Sequence, residues 1–418
     1  MKLFARTALA SLLLCVGCSR ACAAPEPQGD DPSPSLDAAP ASGEVPSRCV
    51  LEREIAVQGT DVELGRMTLQ GTRALVGARH DGQAAIAELD VAQPNAQVRF
   101  VDLAPAVGEV PPPMPLIAGD KAFSVGYERD VSKRLRLVLR DLAAPSSPAA
   151  ELAPEPADDS LAFDALAGSG RVLVAWDAPA EEGSAVFVTS LVAGAKPAEP
   201  VRVSPAGADA DTPRLAPGAA GPVVLYASHR ALPKSDAAAL PEGPGQDPEH
   251  VWVAMQPTGP DGRPAGPATN LTAESGAIAT YDVVSRPQVM NEAPHGVDFD
   301  LIATDGVELG AGQGGKLLLV AVRNGSPAPS ITIAEHVGRG APALFPGSPS
   351  VLLFSDPSER GRSSLLGDSP TAFEPALDGA RPLGVIPSVA PASLRILAVA
   401  APAGAERARL RLLRCAAR

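Results

Sequence analysis

The sequence predicts an all-β protein: a β-propeller of seven four-stranded blades. Three observations carry this expectation. One phrase, a small or proline-containing segment, a turn and an apolar run rich in strand formers, can be read seven times along the chain. Each apolar run is followed by one or two further strand-like runs, so a unit holds four short strands in about 50 residues, the period of blade architectures. Proline and glycine number 45 and 39 of 418 residues. That is enough to punctuate many turns, and it stays below the share that marks disorder.

The chain opens with Lys2 and Arg6 and no acid, followed by ten apolar or small residues from Thr7 to Val16. A short basic region and a short apolar run make a secretory signal over residues 1–17. The run is too short to span a bilayer, which takes about 20 residues. Residues Leu14-Cys15-Val16-Gly17-Cys18 resemble the lipobox of bacterial lipoproteins, with Cys15 where leucine is usual. That resemblance implies diacylation of Cys18. Ser19 after it, in place of aspartate, implies the outer membrane. The other reading is plain export, with cleavage after Ala21-Cys22-Ala23. Cys15 and Cys18 also form a C-x-x-C, but the export context speaks against redox or metal chemistry. Residues 18–48 carry six prolines and five acids and no aromatic residue. They read as a disordered tether to a propeller domain over 49–418.

The seven apolar runs begin near Ala74, Ala122, Val172, Val223, Phe299, Val351 and Leu394, at spacings of 48, 50, 51, 76, 52 and 43. The long spacing contains an insertion, His229–Glu249, between the second and third strands of unit four. Without those 21 residues it becomes 55. The Gly-rich loop Asp305–Gly315 takes the same place in unit five. Two such loops on adjacent blades share one face. Six blades, or a pair of β-sandwiches, are the alternatives. No copy carries a Trp-Asp signature. The phrase resembles the looser repeats of periplasmic propellers such as that of the Tol-Pal system, and "DTPRLAPGAAGPVVLYAS" (211–228) is its nearest copy.

The last unit reads as strands near Val385–Val389, Leu394–Ala400 and Arg407–Arg414, after which the chain ends without a fourth. "CVLEREIAV", Cys49–Val57, precedes the first unit without a partner. If it closes the ring it runs antiparallel to the final strand, and Cys49 falls beside Cys415. Adjacent antiparallel positions lie within disulfide reach, and an exported protein meets oxidising conditions. Cys22 is the rival partner.

The net charge of −13 becomes −15 once Lys2 and Arg6 leave with the signal. An acidic chain offers no footprint for nucleic acid. "GAGQGGK", Gly310–Lys316, matches G-x-G-x-x-G, but a strand follows it and Leu317 stands where a phosphate loop needs Ser or Thr. It reads as a hairpin loop. His80, His229, His250, His295 and His336 form no H-x-x-x-H. Four of them, all but His295, fall near one face of the ring, yet scattered surface histidines are the simpler reading. The sequon Asn270-Leu271-Thr272 carries little weight in a bacterial exported chain. The innermost segments offer Arg66, Asp164, Asp211, Arg214 and Arg286 to the central channel. Two acids among three arginines suit structural pairing or an anion better than a catalytic metal. No catalytic residue, metal site or cofactor is assigned.

The reading that follows is a tethered or exported, non-enzymatic interaction module of the cell envelope. Its partner is a protein or a glycan, and its anchor is the lipid on Cys18. The alternative is a hydrolase or lyase using the channel.

Overall fold

The computed structural model describes residues 48–416 apart from 60, 106–109, 130–133, 154–159, 169, 182, 193–194, 219–220, 233–248, 286–298, 307–314, 339, 347–349, 357–360, 367–376, 378–379, 387–392 and 401–407. Cys15, Cys18, Cys22 and the tether up to residue 47 lie outside these residues.

The described residues form twenty-eight strands in seven antiparallel sheets. The first strand, β1 (Cys49–Ala56), stands apart from its neighbours in sequence. Blade one is β2 (Val62–Gln70), β3 (Arg73–His80), β4 (Gln83–Asp90) and β5 (Arg99–Pro105). Blade two is β6 (Met114–Ala118), β7 (Lys121–Arg129), β8 (Leu135–Asp141) and β9 (Ala150–Ala153). Blade three is β10 (Phe163–Gly168), β11 (Arg171–Ala180), β12 (Gly183–Val192) and β13 (Val201–Arg202). Blade four is β14 (Asp209–Pro217), β15 (Pro222–Ala231), β16 (Glu249–Pro257) and β17 (Thr269–Asn270). Blade five is β18 (Ile278–Ser285), β19 (Phe299–Asp305) and β20 (Gly315–Arg323), flanked by β21 (Ser326–Pro327) and β22 (Ile331–Val337). Blade six shows β23 (Ala343–Phe345), β24 (Ser350–Ser355) and β25 (Gly361–Leu366) among the described residues. Blade seven is β26 (Ala380–Ile386), β27 (Ser393–Ala400) and β28 (Arg409–Ala416), completed by β1 in the order β26-β27-β28-β1. The innermost strands touch in sequence, β2 to β6, β10, β14, β18, β23, β26 and back to β2, which closes the ring.

Local chemistry explains the hairpins. His80-Asp81-Gly82-Gln83 turns with Asp81 at φ 47° and Gly82 at φ 77°. Arg323-Asn324-Gly325-Ser326 does the same with φ 52° and 74°. Asp-Gly and Asn-Gly tolerate two positive φ values, and that twist matches the flanking strands.

The apolar runs are apolar throughout because a blade is covered on both sides. Ala74, Val76 and Ala78 of β3 pack at the junction with blade seven, while Leu75 packs toward blade two. The buried apolar residues fall into seven clusters, one for each junction between neighbouring blades. The junction of blades one and two is the most sparingly filled, with Leu75, Ile86 and Ala122 buried. There the backbones approach closely: a Cβ on Gly77 would lie 1.7 Å from the Pro113 carbonyl oxygen. Glycine, which carries no Cβ, is the residue that this approach permits at position 77.

The second strands begin where the apolar runs were read. Two innermost strands differ from expectation. In blade seven the strand is Ala380–Ile386, upstream of the expected 385–389. In blade five it is Ile278–Ser285, and Arg286, expected on it, lies outside the described residues. The phrase was anchored to prolines there, whereas thirteen residues separate β18 from β19.

Antiparallel pairing gives the ring two distinct faces. On the upper face lie the hairpins joining second to third strands and the crossovers between blades. On the lower face lie the first-to-second and third-to-fourth turns. Cys49 pairs with Cys415 at the lower end of the β1–β28 ladder, and the two are disulfide-bonded with their Cα atoms 4.0 Å apart.

Candidate functional site

The channel carries a small network of charged side chains from four blades, which also grips the backbone of a fifth. Arg66 of β2 donates a hydrogen bond to Asp282 Oδ1 of β18. Blades one and five are not neighbours, so this side chain crosses the channel. Solvent still reaches it: Arg66 is 39 % exposed and Asp282 2 %. Arg214 of β14 brings its Nε to 3.5 Å from the same oxygen and stacks its guanidinium 5.9 Å over the Tyr281 ring. Asp282 Oδ2 accepts the Leu344 N–H of blade six at 2.9 Å. Asp164 of β10 accepts the Leu215 N–H of blade four at 2.8 Å. Each aspartate therefore ties its own blade to the backbone of the next. Burial pushes the Asp164 carboxyl up from its ordinary range, against the pull of Arg66 and Arg214. The Asp282 charge pushes Arg66 up. Two acids and two arginines balance in number.

Arg66, Asp164 and Arg214 are thus brought together as the sequence indicated. Asp211 joins a different group, and Asp282 and Tyr281 were missed. A signal for them exists: Phe163-Asp164 and Tyr281-Asp282 repeat an aromatic–Asp pair on two innermost strands.

Nearer the upper face, β14 bulges between Asp211 and Arg214, leaving Thr212 and Pro213 out of the ladder. Pro213 has no N–H to lose there. Thr212 sits at φ 50°, a strained conformation for a β-branched residue. It is held from both sides: its N–H reaches Asp177 Oδ2 at 3.3 Å, and its carbonyl accepts the Tyr281 hydroxyl. Asp177 of β11 is 1 % exposed and also accepts the Ser160 hydroxyl at 2.7 and 2.8 Å. Burial raises its pKa.

Asp211 faces His229 at the root of the blade-four insertion. His229 Nδ1 lies 3.2 Å from Glu249 Oε1 in a hydrogen bond, and Nε2 lies 3.2 Å from Asp211 Oδ1 in an ion-pair contact. Burial alone would lower the imidazole pKa. The two carboxylates outweigh it and raise the value to about 10. His229 and Glu249, read as the ends of the insertion, belong to β15 and β16, so residues 232–248 connect them. On the outer side of the same blade, Arg230 stacks 5.4 Å over Trp252. Trp252 Nε1 donates to Asn270 Oδ1 at 3.0 Å, and Asn270 Nδ2 donates to Glu274 at 2.6 Å. The sequon asparagine has both ends of its amide engaged.

The other histidines do not converge. His80 stacks on Phe100 at 3.8 Å, and His295 lies outside the described residues. Among the described residues no group of three His, Cys, Asp or Glu side chains could hold a metal. Of Gly310–Lys316, Gly315 and Lys316 open strand β20, where Lys316 pairs with Asp305. A strand at that point supplies no helix N-terminus for a phosphate.

No family model matches the chain, and no curated protein sequence matches it. Solved structures do. The GH93 α-L-arabinofuranosidase of Fusarium graminearum in complex with arabinobiose is 9 % identical, covers 87 % of this chain and 98 % of its own, and has a TM-score of 0.44. A point mutant of the Aleuria aurantia lectin in complex with α-methyl-L-fucoside is 11 % identical over 74 % of this chain and 92 % of its own, at 0.38. A TolB-like protein of Agrobacterium tumefaciens is 10 % identical over 72 % and 88 %, at 0.36.

Proposed function

We propose that this chain is a tethered, non-enzymatic propeller of the bacterial cell envelope that presents its upper face to a protein or a glycan. Lipid on Cys18 anchors it to the outer membrane, and residues 18–48 serve as the tether. The observation that carries this reading is the placement of the chain's ends and loops. The ring begins at Cys49 on the lower face. The long connections 232–248 and 306–314 leave from the upper face, on adjacent blades. Those connections lie at the opposite end of the blades from Cys49, which supports the upper face as the surface that meets a partner. The channel supports a binder over an enzyme, because Asp164 and Asp282 are engaged by backbone N–H groups and arginines instead of converging on an open position.

The test has two parts. Fatty-acid labelling and membrane fractionation should depend on Cys18, and unchanged labelling of Cys18→Ser would remove the anchor from the proposal. Co-sedimentation with purified peptidoglycan sacculi, together with cross-linking to envelope proteins in intact cells, should weaken when residues 233–247 are deleted. Equal capture by the deleted and full chains would count against the upper face.

A further inference from the structure

The closing blade is basic in an acidic protein. Its four strands carry Arg53, Arg381, Arg395, Arg409, Arg411 and Arg414 against Glu52 and Glu54, while the chain as a whole stands at −13. Three of these arginines, Arg53, Arg395 and Arg414, gather at the lower end of the junction between blades seven and one. Arg395 and Arg414 are directly opposite one another in the β27–β28 ladder. Like charges facing across a ladder destabilise it. One carboxylate relieves them: the β1 ladder shifts register between Leu51 and Arg53, and Glu52 in that bulge accepts the Arg395 Nε–H at 2.8 Å. Arg414, 59 % exposed, comes only to 3.6 Å from Glu52, beyond hydrogen-bond reach. Arg53 completes the group. It donates to the Val91 carbonyl at 3.0 Å and to that of Gln93, and Arg395 shares the Val91 oxygen at 3.4 Å. Two guanidiniums thus share the Glu52 carboxylate. Arg53 sits beside them on backbone carbonyls and within the field of Asp90, whose carboxyl is held low by the Ala92 N–H and also by Arg53. Arg414 remains 59 % exposed. Beside them on β1, Val50, which pairs with Arg414, is 52 % exposed; Leu51, 53 % exposed, projects from the other face of the strand.

We propose that this arginine cluster binds a phosphate group, held by Arg414 and Arg395 with Arg53 behind them, and that its source is an anionic lipid headgroup. The planar guanidinium fork matches a phosphate oxygen pair. The overall negative charge is not an obstacle, because charges beyond about 8 Å are screened at physiological salt. Cations beside the exposed Val50 side chain suit the boundary between headgroups and acyl chains. The group lies at the lower face, where the ring begins, so the choice of a lipid source rests on the tether reading. The affinity for phosphate does not.

The experiment uses the full chain carrying Cys18→Ser, so that acylation cannot report as membrane binding. It is sedimented with phosphatidylcholine vesicles with and without phosphatidylglycerol. Its melting midpoint is compared in inorganic phosphate and in chloride at equal ionic strength. We expect binding to the phosphatidylglycerol vesicles that fades with salt, and a rise in midpoint in phosphate. Arg414→Gln should weaken vesicle binding about tenfold, as loss of one charge-assisted contact implies. Arg414→Lys should fall between the two. Glu52→Gln should strengthen binding by removing the competing carboxylate, an effect that a purely structural arginine cluster would not give. Because Arg414 is exposed, its variants should melt like the parent in chloride. A phosphate response without vesicle binding would keep the site and overturn the lipid source. No response in either arm, or equal responses in parent and variants, would overturn the site. Labelling at Cys18 tests the tether separately.

Discussion

Cys49 and Cys415 stand opposite one another in the ladder that joins the first strand to the last, and a disulfide links them across 366 residues of sequence. The bond fastens the one junction in the ring where a blade is assembled from both ends of the chain. Cross-linking so long a loop removes denatured-state entropy worth up to about 5–6 kcal/mol. Cys49→Ser is expected to lower stability toward that bound, and reducing agent should lower the parent and leave the variant unchanged. Peptide mapping of a non-reduced digest should recover the two cysteines joined; a Cys49 peptide recovered alone and alkylated would refute the bridge.

Asp282 should matter more than its partner Arg66. Asp282→Ala strips two arginines of their carboxylate and orphans the buried Leu344 N–H, a loss of about 2–4 kcal/mol. Arg66→Met leaves Asp282 with Arg214 and Leu344, and Arg66 is partly solvated, so about 1 kcal/mol is expected. Urea denaturation of both variants decides the order. An Arg66→Met loss equal to that of Asp282→Ala would contradict the assignment of Asp282 as the hub.

His229 gives the fold a signature in alkaline solution. Its folded pKa, about 10, lies above the ordinary value of 6.5. The folded state therefore holds a proton that the unfolded state releases. The resulting stabilisation is complete below pH 6.5 and declines as pH rises through 10. The difference in stability between parent and His229→Gln should shrink steadily over that window. A constant difference would show that the contacts with Asp211 and Glu249 do not hold the imidazolium.

Gly77 tests the closest backbone approach in the ring. Gly77→Ala places a methyl against the Pro113 carbonyl, which belongs to backbone and cannot swing aside. A cost of about 3 kcal/mol is expected, at the upper end for overpacking. Gly119→Ala, in open space at φ 68°, should cost about 1 kcal/mol from backbone strain alone. Denaturant midpoints that place the two variants together would argue against the close approach.

Much of this architecture is legible in the residues. The second strands stand out because burial on both sides makes runs such as Val172–Trp176 and Val223–Ala227 apolar without alternation. The ring closure is legible because a unit lacking a strand and a strand lacking a unit can satisfy one another in a single antiparallel register, and that register brings the cysteines together. The first strands of blades five and seven are less legible. They line a solvated channel and carry mixed residues, so prolines in the following connections drew the boundary away from Tyr281-Asp282 and from Arg381.

The sequence by itself determined the repeat and the all-β class, and it offered the route by which the ring could close, since strand pattern and turn chemistry are written within each unit of about 50 residues; the structure decided for seven blades over six. Only the tertiary structure decided which charges meet. Arg66 and Asp282 lie 216 residues apart and on blades that are not neighbours. Arg395 and Arg414 find Glu52 through a bulge in a strand from the opposite end of the chain. Such contacts depend on how far each blade is rotated about the ring and on where a bulge re-aims one side chain. Those quantities are fixed when all seven blades pack against each other, and no local periodicity encodes them.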